Sequence, residues 1–464
     1  MGNFWAQPQH ADADADADSD ADSPQSVVIL GAGIIGLVTA YSLLTEWETL
    51  VLAGDPAAQA RPRPEVVIVE PSKRWSPAAS SQATGGLGDF GFAPETTPLG
   101  MLSFRLLADL ARQANGKEGY QFTQQTIFRV TPKDFTGVPS PPDTWGPSPP
   151  VHVPLSSLPS WFKTESDWTA HRLATAPHGA HLDPAQFCAF MYERCKQLKV
   201  QFAFGSEVTS VSVDEASQRF KSVELQELGG ASRTVPCQTL VIAAGPWSDR
   251  VFSRLFPLAQ TSVPFDVSGS AGNHFRVRTP GWKPSDDEKG SEQVFLGSVI
   301  PGDHSLDITS FPGGTLYIGG YGAIPELLPE YADFVKPQPT QIEAMLELTR
   351  KYLGLPPDEV LEILDLGRAY RPRAVPNHPI ITKVDWGLLG IEGSTNNPFE
   401  SQLPIATSEK PSAGCASVVG GLFVNTGHHS DGLTLSLGSG KVMGELLLGQ
   451  EPSVDISGLG LPQN

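Results

Sequence analysis

Cysteine is nearly missing from this chain of 464 residues: there are four, at Cys188, Cys195, Cys237 and Cys415. Thiols so widely spaced exclude a disulfide framework and show no Cys-x-x-Cys metal spacing. No metal site is expected, and a reducing, cytoplasmic setting is the simplest expectation. Cys188 and Cys195 lie seven apart in an expected helix and read as packed thiols rather than a redox pair. Basic residues are also short, 32 Lys+Arg against 51 Asp+Glu, giving a net charge of −19. Without clustered cations, neither nucleic acid nor an anionic membrane is the main partner.

Long apolar runs are scarce too. The exception is Val27 to Leu44, which carries no charge and so raises the question of a membrane span. Its interior argues otherwise: a β-branched run, Val27-Val28-Ile29-Leu30, breaks at three glycines and resumes with helical composition from Ile34. We read strand, tight turn and helix, and expect no membrane span. Ala and Asp alternate from Ala11 to Asp22 without apolar periodicity, so residues 1–25 read as a solvated tail. Ala6 stands where a myristoylation signal has Ser or Thr, and Leu461-Pro462-Gln463-Asn464 is no Ser-Lys-Leu peroxisomal address.

What is present is enough for a large core: 40% of residues are hydrophobic, with 22 Phe, 9 Trp and 8 Tyr, and the length suggests two or three domain-sized units. Gly31-Ala32-Gly33-Ile34-Ile35-Gly36 is Gly-x-Gly-x-x-Gly between that strand and that helix. The first glycine permits the turn, the second lets a phosphate approach the backbone, and the third lets helix pack on strand. The helix N-terminus then faces the pyrophosphate with free N–H groups. A second strand, Val66-Val67-Ile68-Val69, ends in Glu70, whose carboxylate suits an adenosine ribose. Glu70 comes later than the usual ~20 residues, because a Pro- and Ala-rich loop, Ala53 to Pro64, precedes the strand.

Three further segments bring backbone close to a large planar ligand. They are Ser80-Ser81-Gln82-Ala83-Thr84-Gly85-Gly86-Leu87-Gly88, the buried strand Leu240 to Ala243 ending in Ala244-Gly245-Pro246-Trp247, and Gly421 to Asn425 followed by Thr426-Gly427-His428-His429-Ser430-Asp431-Gly432-Leu433. Together with Tyr370-Arg371-Pro372-Arg373-Ala374-Val375-Pro376-Asn377-His378-Pro379, these motifs run in one order over residues 26–450. The set resembles the D-amino-acid oxidase-like family of FAD-dependent oxidoreductases, which includes glycine, sarcosine and D-amino-acid oxidases and dehydrogenases. Its flavour is that of fungal amine or amino-acid oxidase-like members.

The resemblance implies an α/β fold: a doubly wound, Rossmann-like FAD-binding domain interleaved with an antiparallel-sheet α+β substrate domain. Residues 26–115, 178–262 and 363–452 would form the first, residues 116–177 and 263–362 the second, and 453–464 a tail. It implies cofactor contacts from Gly31, Ala32, Gly33, Ile34, Ile35, Gly36, Glu70, Ser80, Ser81, Thr84, Gly85, Gly86, Leu87, Ala244, Gly245, Gly427, His428, His429, Asp431, Gly432 and Leu433. Val208 matches a strand valine that meets adenine through its backbone. Arg371 matches the arginine that binds a substrate carboxylate, a role suited to a planar bidentate fork, with Tyr370 and His428 beside it; Arg368 and Arg373 are weaker alternatives. Lys441, Tyr317, Tyr321 and His274 are further candidates. Relatives that attach FAD covalently carry a cysteine just before the matching tyrosine. Here Arg368-Ala369 precedes Tyr370, so non-covalent FAD is implied.

The reaction so implied is hydride removal from the carbon bearing a neutral amine of an amino acid or secondary amine, the cofactor carrying the difficult step. No obligatory acid or base is needed. Molecular oxygen is the leading acceptor, since no second Gly-x-Gly-x-x-Gly for NAD(P)H is found. The rivals are a dehydrogenase that passes electrons to a quinone or carrier, and a non-catalytic flavoprotein acting in interaction or trafficking. The stretch Val138 to Pro154, dense in proline, reads as a surface loop, with Trp145 a core clamp or a lid residue.

Overall fold

The computed structural model describes residues 25–132, 150–214, 219–266, 270–296, 306–320, 326–391 and 417–462. The Ala/Asp tail, most of the proline-rich loop with Trp145, Tyr321 and Cys415 lie outside them. The chain opens with β1 (Ser26–Leu30), α1 (Ile34–Leu52), α2 (Pro56–Gln59), β2 (Glu65–Glu70), β3 (Gly86–Gly88), α3 (Thr97–Gln113), α4 (Gly116–Tyr120) and β4 (Thr123–Pro132). Next come β5 (Val151–Val153), β6 (Trp168–Ala174), β7 (Gly179–His181), α5 (Pro184–Gln197), β8 (Gln201–Phe204), β9 (Ser206–Asp214), β10 (Arg219–Glu227), β11 (Ser232–Pro236) and β12 (Thr239–Ile242). The rest is α6 (Ser248–Leu255), β13 (Ala271–Arg278), β14 (Ser291–Leu296), β15 (Leu306–Phe311), β16 (Thr315–Gly320), α7 (Pro339–Leu353), β17 (Ile363–Tyr370), β18 (Ile380–Lys383), β19 (Gly421–Thr426) and α8 (Ser436–Leu447).

Period and composition explain the two architectures. β1, β12 and β19 are runs of Val, Leu, Ile and Phe buried on both faces, as a covered parallel sheet requires. They form the centre of a six-stranded sheet ordered β18-β19-β12-β1-β2-β8, parallel except for the edge strand β18. Helices α1, α3, α5 and α8 cover one face around Leu37, Leu43, Phe187 and Val442. The other face is closed by a three-stranded antiparallel sheet, β9 to β11, and by α6 around Val223, Leu225 and Phe252. α1 is long and apolar enough to cross a membrane by length and composition, but more than half of it is buried against this sheet and its helices. It is the core helix of the nucleotide fold.

α5 begins where Asp183 accepts from the Gln186 N–H at 3.0 Å and Pro184 takes the first helical turn, and it ends with Arg194 and Lys196 beside the free carbonyls. Cys188 and Cys195 are fully buried on its inner face, where burial pushes both thiols up to about 12. They are packing groups and not nucleophiles at neutral pH.

The second sheet has ten strands, eight of them ordered β17-β13-β16-β15-β14-β4-β6-β5, with β3 and β7 added through β4. It is antiparallel apart from the β14 and β4 pair, which runs parallel. Its outer face packs on α7 around Phe275, Ile308, Ile318 and Met345. β17 belongs to this sheet through its pairing with β13, so the domain edge expected at 363 falls at its end, near 371. Strands β3 and β7 also leave the nucleotide segments and join the second sheet. Near the end of the described residues, Val454, Ile456 and the fully buried Leu459 pack onto the core cluster, in a stretch read from the sequence as a tail.

Candidate active site

A cavity of about 710 Å³ runs from the C-terminal ends of β1, β2 and β12 to the inner face of the ten-stranded sheet. Its volume is in the range of sites that enclose a large organic ligand. Glycine decides its nucleotide end. Gly31 adopts a φ of +110°, and a Cβ there would lie 2.5 Å from the Ala243 carbonyl oxygen. A Cβ on Gly36 would lie 2.0 Å from the Gly31 carbonyl oxygen, so α1 approaches the turn only without one. The N–H of Ile34 donates to Ser80 Oγ at 3.1 Å. Among the described residues, no protein acceptor meets the N–H groups of Gly33 and Ile35, which line the cavity. They remain for an anionic ligand.

Glu70 is buried at the end of β2. It accepts from the Ala32 N–H at 3.0 Å and from the Ser72 N–H at 3.0 Å, so its carboxylate both ties the turn to the strand and faces the cavity. Burial raises its pKa, and the two N–H groups counter that shift. Val208, Ala244, Gly245, Thr84, Gly86, Leu87, His429, Asp431, Gly432 and Leu433 also line the cavity. Ala32, Gly36, Ser81, Gly85 and Gly427 do not line it. They shape it from behind: Ser81 Oγ donates to the Ser76 carbonyl at 2.7 Å, and Gly85 (φ +84°) and Gly427 (φ +79°) sit in turns too tight for a side chain.

The other end belongs to the sheet. Alternation along the strands brings Gln293, Asp307, Tyr317, Gly272 and Arg129 to the inner face, joined by Arg371 just past β17. The Arg371 guanidinium lies across Gly272, where a Cβ would be 2.9 Å from Nη1, and Nη1 donates to the Ser270 carbonyl at 3.1 Å. Asp307 accepts from Gln293 Nε2 at 2.9 Å, and burial pushes it up to about 6 although the Arg371 charge pulls the other way. Tyr317 donates to the Gln82 carbonyl at 2.9 Å and stacks on His274 at 5.1 Å.

Several expected roles change. The Tyr370 side chain does not reach the cavity: Ala369 and Arg371 face it, and period two turns Tyr370 to the opposite side. There it packs with Ala271 and Leu328, and its hydroxyl donates to the Leu327 carbonyl at 3.1 Å. His428 does line the cavity, but it is buried, shares a 2.8 Å hydrogen bond with Ser439 Oγ, and burial lowers it to about 3. Its imidazole is neutral and positions the turn. Lys441 pairs with Glu46 at 2.9 Å and Glu445 at 3.0 Å, away from the cavity. Arg368 is held by Glu326 and Gln341, also away from the cavity.

Sequence reading missed Arg129, Gln293 and Asp307. The available signal was a polar residue at the inward position of an otherwise apolar alternating strand. It also missed residues 330–332, which reach the nucleotide end from the second domain. That segment is tied down by Trp247 Nε1 donating to the Pro329 carbonyl at 2.8 Å and by Arg250 donating to the Leu328 and Pro329 carbonyls at 2.6 and 2.9 Å.

The family model described as FAD dependent oxidoreductase matches residues 26–446. The chain belongs to that family. A Schizosaccharomyces pombe relative named as an oxidoreductase, C1F5.03c, is 24% identical over 241 residues, which cover 50% of this chain and 57% of that protein. The chain therefore spans little more than half the length of this curated relative. The fold matches the crystal structure of glycine oxidase from Geobacillus kaustophilus with a TM-score of 0.65 at 18% identity, over 95% of this chain and 99% of that one. Iminodiacetate oxidase from Chelativorans sp. BNC1 gives 0.62 at 15% identity over 94% and 100%, and L-proline dehydrogenase from P. horikoshii gives 0.63 at 14% over 95% and 97%. The side-chain-free turn at Gly31 and Gly36, the two open N–H groups and the Glu70 carboxylate fit the family's FAD.

Glu70→Gln replaces one acceptor oxygen with an amide that meets backbone N–H groups head on. FAD affinity is expected to fall about tenfold or more, since hydrogen bonds to a charged group contribute about 1.5–3 kcal/mol each. Fluorescence titration of the flavin-free protein with FAD measures it.

Proposed function

We propose that this chain oxidises a C–N bond of an amino acid or secondary amine, with non-covalently bound FAD and with molecular oxygen as acceptor. One observation carries the reading: a single cavity has the glycine turn and open N–H groups of Gly33 and Ile35 at one end and the Arg371 guanidinium in its wall at the other. When bound, FAD supplies the hydride acceptor. The protein's own residues do the rest. Arg371 anchors a carboxylate through two parallel N–H donors, fixing which carbon faces the cofactor. Phe90, Ile127, Leu173 and Phe295 exclude water from the reacting carbon. Among the described residues no cysteine lines the cavity, in keeping with a non-covalent cofactor. Both oxidases and a dehydrogenase share this fold, so oxygen as acceptor rests on those neighbours rather than on any residue named above.

The test is spectroscopic. The purified protein is expected to show a visible flavin spectrum that trichloroacetic acid releases into solution, and to bleach anaerobically with one or more of a panel of D-amino acids, N-methyl amino acids and imino acids. Hydrogen peroxide should appear when air is readmitted. A colourless protein that does not take up FAD would remove the cofactor reading, and bleaching without peroxide would replace oxygen by another acceptor.

A further inference from the structure

The substrate end of the cavity contains a carboxylate that carboxylate binding does not need. Asp307 lies on β15 with Thr309 and faces the enclosed space rather than bulk water. Its Oδ1 accepts from Gln293 Nε2 at 2.9 Å and from Thr309 Oγ1 at 3.5 Å. Among the described residues, nothing donates to Oδ2. Two strands, β16 and β13, separate β15 from β17, but Arg371 reaches back over Gly272 of β13, close enough for its charge to act on Asp307. This end of the cavity wall therefore carries the Arg371 cation and the Asp307 anion, with Arg129 on the same wall.

A simple carboxylate bound to Arg371 would bring its negative charge toward Asp307, and a simple amine would leave Arg371 without a counter-charge in a place poor in water. A short zwitterion satisfies both. Resting on the functional reading above, we propose that Asp307 is the specificity-determining residue for the substrate's nitrogen: on binding, its carboxylate faces the positively charged nitrogen of the molecule whose carboxylate Arg371 holds, and an oxidisable amine then releases its proton to solvent to give the neutral form that reacts. The preferred class is then α-amino or α-imino acids, in which the two charges are one carbon apart. Carboxylates lacking nitrogen and amines lacking a carboxylate are disfavoured.

Ligands that cannot be oxidised separate binding from turnover. Trimethylglycine carries a permanent positive charge, and 3,3-dimethylbutanoate has the same shape with carbon in place of nitrogen. Each is titrated into the flavin-loaded protein and read by perturbation of the visible flavin spectrum. The wild-type protein is expected to bind trimethylglycine tenfold or more tightly than 3,3-dimethylbutanoate. In Asp307→Asn that ratio should fall to near one, with the plain carboxylate bound more tightly than before. An unchanged ratio in a variant of normal flavin content overturns the proposal. Loss of both ligands in equal measure overturns it too, because that is the signature of a collapsed site.

The pH dependence of that ratio gives a second reading. The groups facing Asp307 are Gln293, Thr309, Tyr317 and Arg371, with Arg129, His429 and Asp431 on the same cavity and His274 stacked on Tyr317. Tyr317 is pushed far up by burial, and His274 is pushed down to about 4. His429 is pushed down by burial and by the charges of Arg373 and Arg371. The preference for the zwitterion is therefore expected to decline as pH falls through about 6 in the wild type but not in Asp307→Asn, which keeps Asp431, itself pushed up to about 6; a wild-type preference constant from pH 8 to pH 5, or an equal decline in the variant, overturns the assignment. If no carboxylate perturbs the flavin at all, the Arg371 anchor fails, and this proposal with it. If plain carboxylates bind without preference for the zwitterion, Arg371 stands and only Asp307 falls.

Discussion

Gly36→Ala is expected to yield a protein with little or no bound flavin. The added Cβ would lie 2.0 Å from the Gly31 carbonyl oxygen and 3.1 Å from its carbon, both backbone atoms. Gly31 has little room to give way: its N–H donates to the Val69 carbonyl at 2.8 Å, and its backbone lies so near Ala243 that a Cβ on it would be 2.5 Å from that carbonyl oxygen. Relief must come from α1, which would move off the turn and carry its N–H groups from the phosphate position. FAD affinity is expected to fall at least about 100-fold, and stability by about 1–3 kcal/mol, the usual cost of forcing volume into a packed site. The absorbance ratio at 280 and 450 nm and a denaturation curve of the flavin-free protein measure the two separately. Wild-type flavin content in this variant would mean that the helix does not need so close an approach.

Arg371→Ala carries the second large effect, and it falls on substrate rather than cofactor. Truncation leaves the substrate carboxylate without a donor and strips Asp307 of its neighbouring positive charge. Removing one partner of an enclosed charge pair costs about 2–5 kcal/mol, so kcat/KM should drop about 10²–10³-fold for carboxylate substrates. Flavin content should stay normal, because the guanidinium lies on the sheet side of the cavity over Gly272. Arg371→Lys should recover only part of the loss, since a single ammonium cannot reproduce the two-pronged contact. The anchor role would be lost if substrates with and without a carboxylate were oxidised equally well before and after the change.

The nucleotide half was readable because its determinants are local. A β-branched run, three glycines at fixed spacing, a helical run and an acidic strand end follow directly from the order of residues, and β1, α1, β2 and Glu70 stand where that order puts them. The substrate half was much less readable. Tyr370 and Arg371 are adjacent in one motif, yet only Arg371 reaches the cavity, because a half-turn per residue sends neighbours to opposite faces. Domain edges shifted for a related reason: β17, β3 and β7 join a sheet whose other members lie far off in sequence, and no local pattern records that pairing.

Sequence alone determined the class of turn, the helix it opens, and the kind of ligand that such a turn admits, because steric exclusion at glycine and hydrogen bonding at a helix end are properties of a few consecutive residues. Only the tertiary structure decided which polar groups meet at the far end. Arg371, Asp307, Gln293 and Tyr317 come from four separate segments, and what brings them onto one face is the register of antiparallel strands, which depends on long-range pairing. The scarcity of cysteine and of basic residues shaped the expectations about partners; the placing of Arg371 and Asp307 on one cavity wall required the folded sheet.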